Sequence, residues 1–429
     1  IKPISVYAPA FEAGLSPATV IEDMPYSEEG GAYPLNDDYR YSFRRTILSA
    51  VIDSVNAVAM RTLDRIGVDY SYSFAKDKFG LKSLIDGYTD DDGTVHSDIA
   101  LAPLSLGAQT NGVSVREMTS AFATFANNGV YREGRLVTKI YDRNGNLVAS
   151  NDQESRTILS EKTVNYMNYC LAEAVRIGTG DGAYLYSTQV CGKTGSTDGY
   201  KDRWFCGFTK YYTAAVWTGY DTPESIEIVG AWYNPACRLW KKVMEPLHEN
   251  KAYEGLYSTS GMGWVTVCKD SGGFASDACA YDVRGAITGY NPLLSAPCYP
   301  EDSSGSVCDK HILVDYCTTG GGVATEYCKK FAAAGENVVI EKKALVKMTQ
   351  EELDTIRRLS YYGLYADYTR DDYIYLVYSD GTDNNSYTGV SGTVNQNVSA
   401  PYLVCPAHTK AAWEAYELSL IHISEPTRP

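Results

Sequence analysis

The 429-residue chain contains no uninterrupted apolar run of membrane-spanning length and no run of basic residues. The first absence leaves no segment that hydropathy would assign to a bilayer-crossing helix. The second, with 38 Lys and Arg against 53 Asp and Glu and a net charge of -15, argues against nucleic acid and anionic membrane surfaces as partners. The first residue is Ile1 rather than methionine, and the residues that follow it carry no signal-peptide pattern. C-x-x-C pairs, the commonest spacing of structural zinc sites, are also missing. So is a phosphate cradle: Gly178, Thr179 and Gly180 have no strand before them and no Lys-Ser or Lys-Thr after them. What remains is an acidic chain with room for two or three domains and a substantial core.

The most informative stretch runs from Gln189 to Asp221, QVCGKTGSTDGYKDRWFCGFTKYYTAAVWTGYD. Three apolar or aromatic runs, Gln189 to Thr194, Arg203 to Phe208 and Thr213 to Tyr220, are separated by turn-rich segments. This predicts a three-stranded antiparallel meander. Its first strand carries Lys193, Thr194, Gly195, Ser196 and Thr197: a cation, a glycine that lets a ligand approach the backbone, and hydroxyls suited to a carboxylate. An extended ligand can lie along such a strand as an added one.

Around the meander the sequence reads as helices. Apolar positions Ile47, Leu48, Val51 and Ile52 stop at Ser54, and a second helix is expected to begin with Asn56 as its cap and to close at Gly67. Ser114 and Glu117 form a capping box ahead of Met118, Ala121, Phe122 and Phe125. Ser160 begins another helix with Val164, Met167, Leu171 and Ala174 on one face. Between these, Arg135 to Val148 reads as a hairpin around Asn144 and Gly145, a dipeptide suited to positive φ at both turn positions.

These pieces carry a resemblance. Ser54-Val55-Asn56 and Lys193-Thr194-Gly195 are two of the three parts of a serine acyl-transfer site that uses lysine as its base, and Lys2 stands where the Ser-x-x-Lys lysine belongs. The blocks KPISVYAP, LSAVIDSVNAVA, LSLGAQTNGVSVREMTSAFATFANNGVY, RIGTGDGA, CGKTGSTDGYKDRWFCGFTKYYTAAVWTGYD and LWKKVMEPLH follow in order from Lys2 to His248. Together they resemble the transpeptidase domain of bifunctional (class A) penicillin-binding proteins. The resemblance implies an α/β (α+β) fold of the penicillin-binding transpeptidase and serine β-lactamase type, an antiparallel sheet with flanking helices and a helical subdomain. It places the nucleophilic serine two residues before Ile1. The expectation is therefore a piece of a longer protein, inactive by itself, whose parent sits on the extracytoplasmic face of the bacterial membrane through an upstream segment.

The resemblance also implies roles. An upstream serine attacks a D-alanyl-D-alanine stem peptide of peptidoglycan, or a β-lactam, and an amine resolves the acyl-enzyme. Lys2 takes the serine proton, Ser54 relays it, Asn56 holds Lys2 and the substrate amide, and Lys193 supplies a cation. Thr194, Gly195, Ser196 and Thr197 line the substrate strand, with the Ser196 N–H as half of an oxyanion hole. No cofactor and no metal is assigned. The rival readings are a D,D-carboxypeptidase, a β-lactamase, or a non-catalytic wall-binding or β-lactam-sensing module.

Beyond Asn250 composition shifts toward Cys, Gly, Ser and Tyr. The expected domains are 1–250 for the transpeptidase and 251–417 for a small Cys-rich C-terminal extension, with 418–429 (LSLIHISEPTRP) a non-native tail resembling a translated adaptor. Cys170, Cys191, Cys206 and Cys237 sit singly and read as buried thiols, whereas the other seven cysteines all fall after residue 260. Within the extension CKDSGGFASDAC, Cys268 to Cys279, repeats as CTTGGGVATEYC, Cys317 to Cys328. Equal spacing predicts one small loop used twice, each closed by its own disulfide, Cys268 to Cys279 and Cys317 to Cys328. Zinc is the competing explanation, since Cys308 and His311 lie close together. Further on, Thr349 with Glu352 is expected to cap a helix through Leu353, Ile356 and Leu359. Tyr373 to Tyr378 reads as β-rich, and Asp380 to Ser399 as a polar loop.

Overall fold

The computed structural model describes residues 1–27, 31–226, 233–287, 289–303, 305–349, 351–352, 354–355, 376–378 and 405–424. The backbone divides into two compact units. One comprises residues 1–39, 45–265 and 296–304, the other 40–44, 266–295 and 305–429.

The first unit is built on the meander. Strands β1 (Cys191–Ser196), β2 (Asp202–Phe208) and β3 (Thr213–Gly219) form an antiparallel sheet in the order β3-β2-β1. Lys193 lies opposite Cys206, Thr194 opposite Phe205 and Gly195 opposite Trp204. Side chains alternate between two faces, as the pleat requires. On one face Phe205, Ala214 and Val216 meet Cys237, Trp240 and Met244 of the helix Pro235–Leu247, started by an Asn234 cap with proline at the first helical position. Trp240 is fully buried, and its indole N–H donates to the Ala214 carbonyl at 3.0 Å, so the largest apolar side chain of this layer leaves no polar atom unpaired.

The other face carries Cys191, Cys206 and Phe208 into the main core. Here lie the helices α1 (Ala8–Glu12), α2 (Ile47–Asp53), α3 (Asn56–Ile66), α4 (Val115–Ala126) and α5 (Glu161–Arg176). α4 begins with the expected capping box, in which the Ser114 hydroxyl accepts from the Glu117 N–H. Phe125 on its inner face stacks on Phe208 with ring centroids 6.4 Å apart. In α5 the Ser160 hydroxyl accepts from the Thr163 N–H. The chain enters α1 through a π-helical turn, Pro3–Tyr7, whose residues are all buried. Burying side chains such as Ile4, Val6 and Phe11 stabilises by about 2 kcal/mol each, which fixes the start of this segment in the core.

Two local expectations differ from the structure. The hairpin Lys139–Tyr141 and Leu147–Ser150 forms, but only Gly145 of its loop has positive φ. The Asp142 carboxylate accepts from the N–H groups of Asn144 and Asn146, both at 2.8 Å, and so stabilises a longer loop with a bulge. Asn56 is the first residue of α3 rather than its cap; the cap position is Val55. The donors are satisfied instead by buried Asn36, whose side-chain oxygen accepts from the N–H of Asn56 at 3.0 Å and of Ala57 at 3.1 Å.

In the second unit the strand His311–Cys317 pairs antiparallel with Ile340–Met348 and with Gly322–Val323, and Leu376–Tyr378 adds parallel to Ile340–Met348. A short helix, Glu326–Ala333, follows a Thr325 cap. The Thr349 and Glu352 capping contacts are present, while Leu353, Ile356 and Leu359, like 380–399, lie outside the described residues. The helix Lys410–Ser424 runs into the tail expected at 418–429, of which 425–429 lie outside the described residues.

Candidate active site

α2 ends at Ser54, which adopts the left-handed conformation (φ 61°, ψ 35°) with its N–H bonded to the Ala50 carbonyl. That sharp reversal lets α3 start two residues later, and it delivers Ser54 and Asn56 to the same side of the turn. Half-buried Lys2, entering the π-helical turn, reaches them both: its Nζ donates to Asn56 Oδ1 at 2.6 Å and to the Ser54 carbonyl at 3.3 Å. Because Asn36 satisfies the helix start, the Asn56 side chain is free for this contact, and its Nδ2 donates to the Leu35 carbonyl at 2.8 Å. Asn36 is held in turn by Asp23 Oδ1 at 2.8 Å, and Asp23 by Arg45 at 3.0 Å. The lysine therefore sits at the end of a chain of side chains with little freedom to rotate.

Lys193 is only 5 % exposed. Its Nζ donates to Thr179 Oγ1 and Thr194 Oγ1, both at 3.3 Å, and the two hydroxyls lie 2.8 Å apart. Thr179 is the residue that sequence reasoning missed. It sits between α5 and β1, held by a bond from its N–H to the Ile52 carbonyl at 3.2 Å. The preceding Gly178 allows this approach, since a Cβ there would collide with that same Ile52 oxygen. The available signal was its position in RIGTGDGA, in the segment that leads from the helix to the Lys-Thr-Gly strand.

Further along β1, Gly195 packs against Trp204, to whose Cβ a side chain would come within 3.2 Å. Ser196 and Thr197 are exposed; the Ser196 hydroxyl accepts from Arg203 at 3.3 Å, and the Thr197 hydroxyl donates to Asp202 at 3.0 Å. β1 is an edge of its sheet among the described residues. Beside the turn, Asn36, Asp37, Asp38, Arg45, Asp53, Val55 and Thr179 line a cleft of about 370 Å³.

Electrostatics set these two amines apart from ordinary surface lysines. Burial lowers Lys2 to about 8, opposed by the nearby charge of Asp37. Burial lowers Lys193 to about 7, with the charge of Lys2 acting in the same direction. Two ammonium groups in one poorly solvated site disfavour one another's charge, so both release a proton far more readily than a surface lysine. An amine of that kind can accept a proton from a hydroxyl, and its charged neighbour can stabilise an anion.

The second unit corrects another expectation. Cys268, Cys279, Cys317 and Cys328 form no disulfides, and every cysteine of the chain is a free, buried thiol. The physical reason is that each pair has further donors at the same point, Cys308 and His311 for the first and Cys405 and His408 for the second.

Residues 1–227 match the family model of the penicillin binding protein transpeptidase domain. The chain is 30 % identical over 342 residues to penicillin-binding protein 1A of Clostridium botulinum strain Hall, covering 77 % of this chain and 39 % of that protein. It is 32 % identical over 246 residues to penicillin-binding protein 4 of Bacillus subtilis, covering 57 % of this chain and 37 % of that protein. Among solved structures, penicillin-binding protein 1A from Haemophilus influenzae superposes with a TM-score of 0.54 at 18 % identity, over 72 % of this chain and 48 % of the other. The chain thus spans about two fifths of the length of the curated relatives it matches.

Proposed function

The chain belongs to the penicillin-binding protein transpeptidase family, and from that premise we propose that its first unit is the acyl-transfer domain of a peptidoglycan D,D-transpeptidase. The observation that carries this reading is Lys2, with a pKa of about 8, donating to Asn56 at 2.6 Å beside the Ser54 turn. An amine lowered that far and held by a neutral amide is suited to take a proton from a serine hydroxyl one helical turn before it. In the family pattern that serine falls two residues before Ile1. The acyl-enzyme forms when its oxygen attacks the penultimate D-alanine carbonyl; the proton passes through Lys2 and Ser54 to the leaving D-alanine, and an amine of a neighbouring strand takes the acyl group.

Lys193, Thr194 and Thr179 would bind the terminal carboxylate of the stem peptide or of a β-lactam. In the free protein Lys193 falls below Lys2, the reverse of the order this division of labour needs. A bound carboxylate would reverse that order, because an anion at hydrogen-bond distance favours the charged form of Lys193. The open edge of β1 suits the rest of an extended peptide. The parent protein would work on the outer side of the cell membrane, although no helix of the described residues is long and apolar enough to cross one.

The test is acyl-enzyme lifetime in a chain extended upstream through the serine. With a stem-peptide analogue whose terminal D-alanine is replaced by a mercaptoacid, so that the scissile amide becomes a thioester and the carboxylate is kept, an added amine acceptor should shorten the lifetime and appear in the product. Rapid deacylation of β-lactams by water indicates a β-lactamase, water-only release of peptide a carboxypeptidase, and no acylation at all a sensing or wall-binding module.

A further inference from the structure

The second unit gathers eight side chains into two groups of the same composition: Cys268, Cys279, Cys308 and His311, and Cys317, Cys328, Cys405 and His408. In each group the four candidate ligand atoms lie within 4.8 Å of one another. Three cysteines in each group make disulfide pairing incomplete by count, since one thiol is always left over with the histidine beside it.

Both groups are assembled by the same backbone. The first cysteine ends a strand, Gly263–Cys268 in one case and His311–Cys317 in the other. Four residues on, a glycine with φ near the left-handed region, Gly272 at 77° and Gly321 at 74°, turns the chain, and its N–H donates to the cysteine carbonyl at 2.8 Å in both. A hydroxyl residue, Ser276 or Thr325, then precedes a short helix and touches the sulfur three residues later, at 3.4 Å for Cys279 and 3.5 Å for Cys328. The remaining ligands come as Cys-x-x-His in both, Cys308 with His311 and Cys405 with His408. A duplicated C-x10-C and C-x2-H pattern converging twice on one geometry is not what buried thiols produce by packing alone.

The distances fit one ion. His311 Nδ1 lies 3.5 Å from Cys268 Sγ, 3.5 Å from Cys279 Sγ and 3.3 Å from Cys308 Sγ. His408 Nδ1 lies 3.4 Å from Cys317 Sγ and 3.2 Å from Cys405 Sγ. Tetrahedral zinc with Zn–S of about 2.3 Å and Zn–N of about 2.1 Å separates nitrogen from sulfur by about 3.6 Å. The far side of His311 is arranged as a metal-bound imidazole requires: Nε2 donates to Asp282 Oδ2 at 2.9 Å, which leaves Nδ1 as the lone pair facing the sulfurs. Asp282 and neighbouring Asp270 are themselves paired with fully buried Arg284, so the third acidic grouping around His311 is the outer ring of this site and not a separate one.

We propose that this unit carries two structural zinc ions, one held by Cys268, Cys279, Cys308 and His311 and the other by Cys317, Cys328, Cys405 and His408. Each loading replaces three thiol protons by one Zn²⁺, with all four positions filled by protein and none open for catalysis. The ions stand where a larger domain has a hydrophobic core. Among the described residues, two of this unit's buried clusters are made of the cysteines themselves, and an apolar one holds only Val283, Val314, Tyr316 and Leu345.

The test is the metal content of the wild-type 429-residue chain, expressed with zinc in the medium and freed of loose metal by gel filtration. Mass spectrometry of the metals should give two zinc per chain, and titration of the thiols with an organomercurial should release both to a chromogenic chelator. Cys308→Ser and Cys405→Ser should each retain one, while His311→Cys and His408→Cys should retain two. Should the serine variants fail to fold, cobalt exchange into the wild-type protein gives an independent readout, with the visible absorption of tetrahedral cobalt thiolate at two equivalents. Fewer than two zinc per chain in the wild-type protein, whether its cysteines are then disulfides or free thiols, overturns the proposal. None of these readouts depends on acyl transfer.

Discussion

Lys2 Nζ donates to Asn56 Oδ1 across 2.6 Å, so the amine is held by an amide oxygen and not by a carboxylate. A neutral partner keeps the lysine in place whether or not it carries its proton, because an amine and an ammonium both donate. A carboxylate would hold it just as well but would favour the charged form. Asn56→Asp, in a chain extended upstream through the serine, should therefore raise Lys2 above about 8 and slow penicillin acylation at pH 7 by about tenfold or more. The rise of the acylation rate with pH should move to higher pH by the same shift. An unmoved profile would mean that Lys2 is not the base.

Ser54→Ala and Lys193→Ala in the same extended chain should slow acylation by orders of magnitude with circular dichroism and melting behaviour retained. Ser54 contributes a carbonyl to Lys2 that alanine keeps, so any loss there reports the hydroxyl. A normal acylation rate in either variant takes that residue out of the mechanism.

Thr179→Val removes one hydroxyl from the pair that faces Lys193 while preserving shape. A hydrogen bond to a charged group is worth about 1.5–3 kcal/mol, so acylation by a β-lactam carrying a carboxylate should fall by about ten- to a hundredfold. Thr179→Ser should restore most of it. If valine and threonine acylate alike, the carboxylate binds elsewhere on β1.

Stability should rise with pH between about 7 and about 8.5, where the two amines titrate and the thiols, raised by burial in the fold, are still protonated in both states. Both amines titrate lower in the folded chain than in the unfolded one, at about 8 for Lys2 and about 7 for Lys193. In that window the unfolded chain binds protons the folded chain has shed, and the slope is positive. Lys193→Met should flatten it and stabilise the fold at pH 7 by on the order of 1 kcal/mol, read from urea unfolding. A steeper slope in the variant would contradict the burial argument.

The polypeptide of residues 1–429 by itself should show no mass shift after incubation with excess penicillin, and the upstream-extended chain should. Loss of the nucleophile in a serine acyl-transfer site leaves only the modest contribution of binding and oxyanion stabilisation. A stable adduct on residues 1–429 would point to Ser54 as the nucleophile and to a wrong assignment for Lys2.

Features that depend on a few adjacent residues were legible in the sequence. The Ser114 and Glu117 box, the stop at Ser54 and the three apolar runs that become the antiparallel meander are all local signals. What the sequence concealed are contacts between distant segments. Asn36 caps a helix twenty positions away, and no propensity of Asn56 reveals that its own side chain is thereby released. Thr179 matters only because a helix end and a strand bring it to Thr194. The Cys268 to Cys279 spacing was read as a closed loop because its completing ligands lie outside it, and Cys405 with His408 is far removed from Cys317 and Cys328. One signal was available: Cys-x-x-His occurs at Cys308 and again at Cys405, each time after a C-x10-C segment.

The four single cysteines of the first unit have a practical use. Cys170, Cys191, Cys206 and Cys237 are all buried, and burial pushes every one of them upward, Cys206 and Cys237 to about 12. As protonated thiols sealed in the core they are closed to alkylating reagents while the domain is folded. Each becomes reactive only when its surroundings open, and three of them lie on or directly against the central sheet. Their alkylation rate in native buffer is thus a clock for opening of that sheet, one that needs no substrate and no change to the chain.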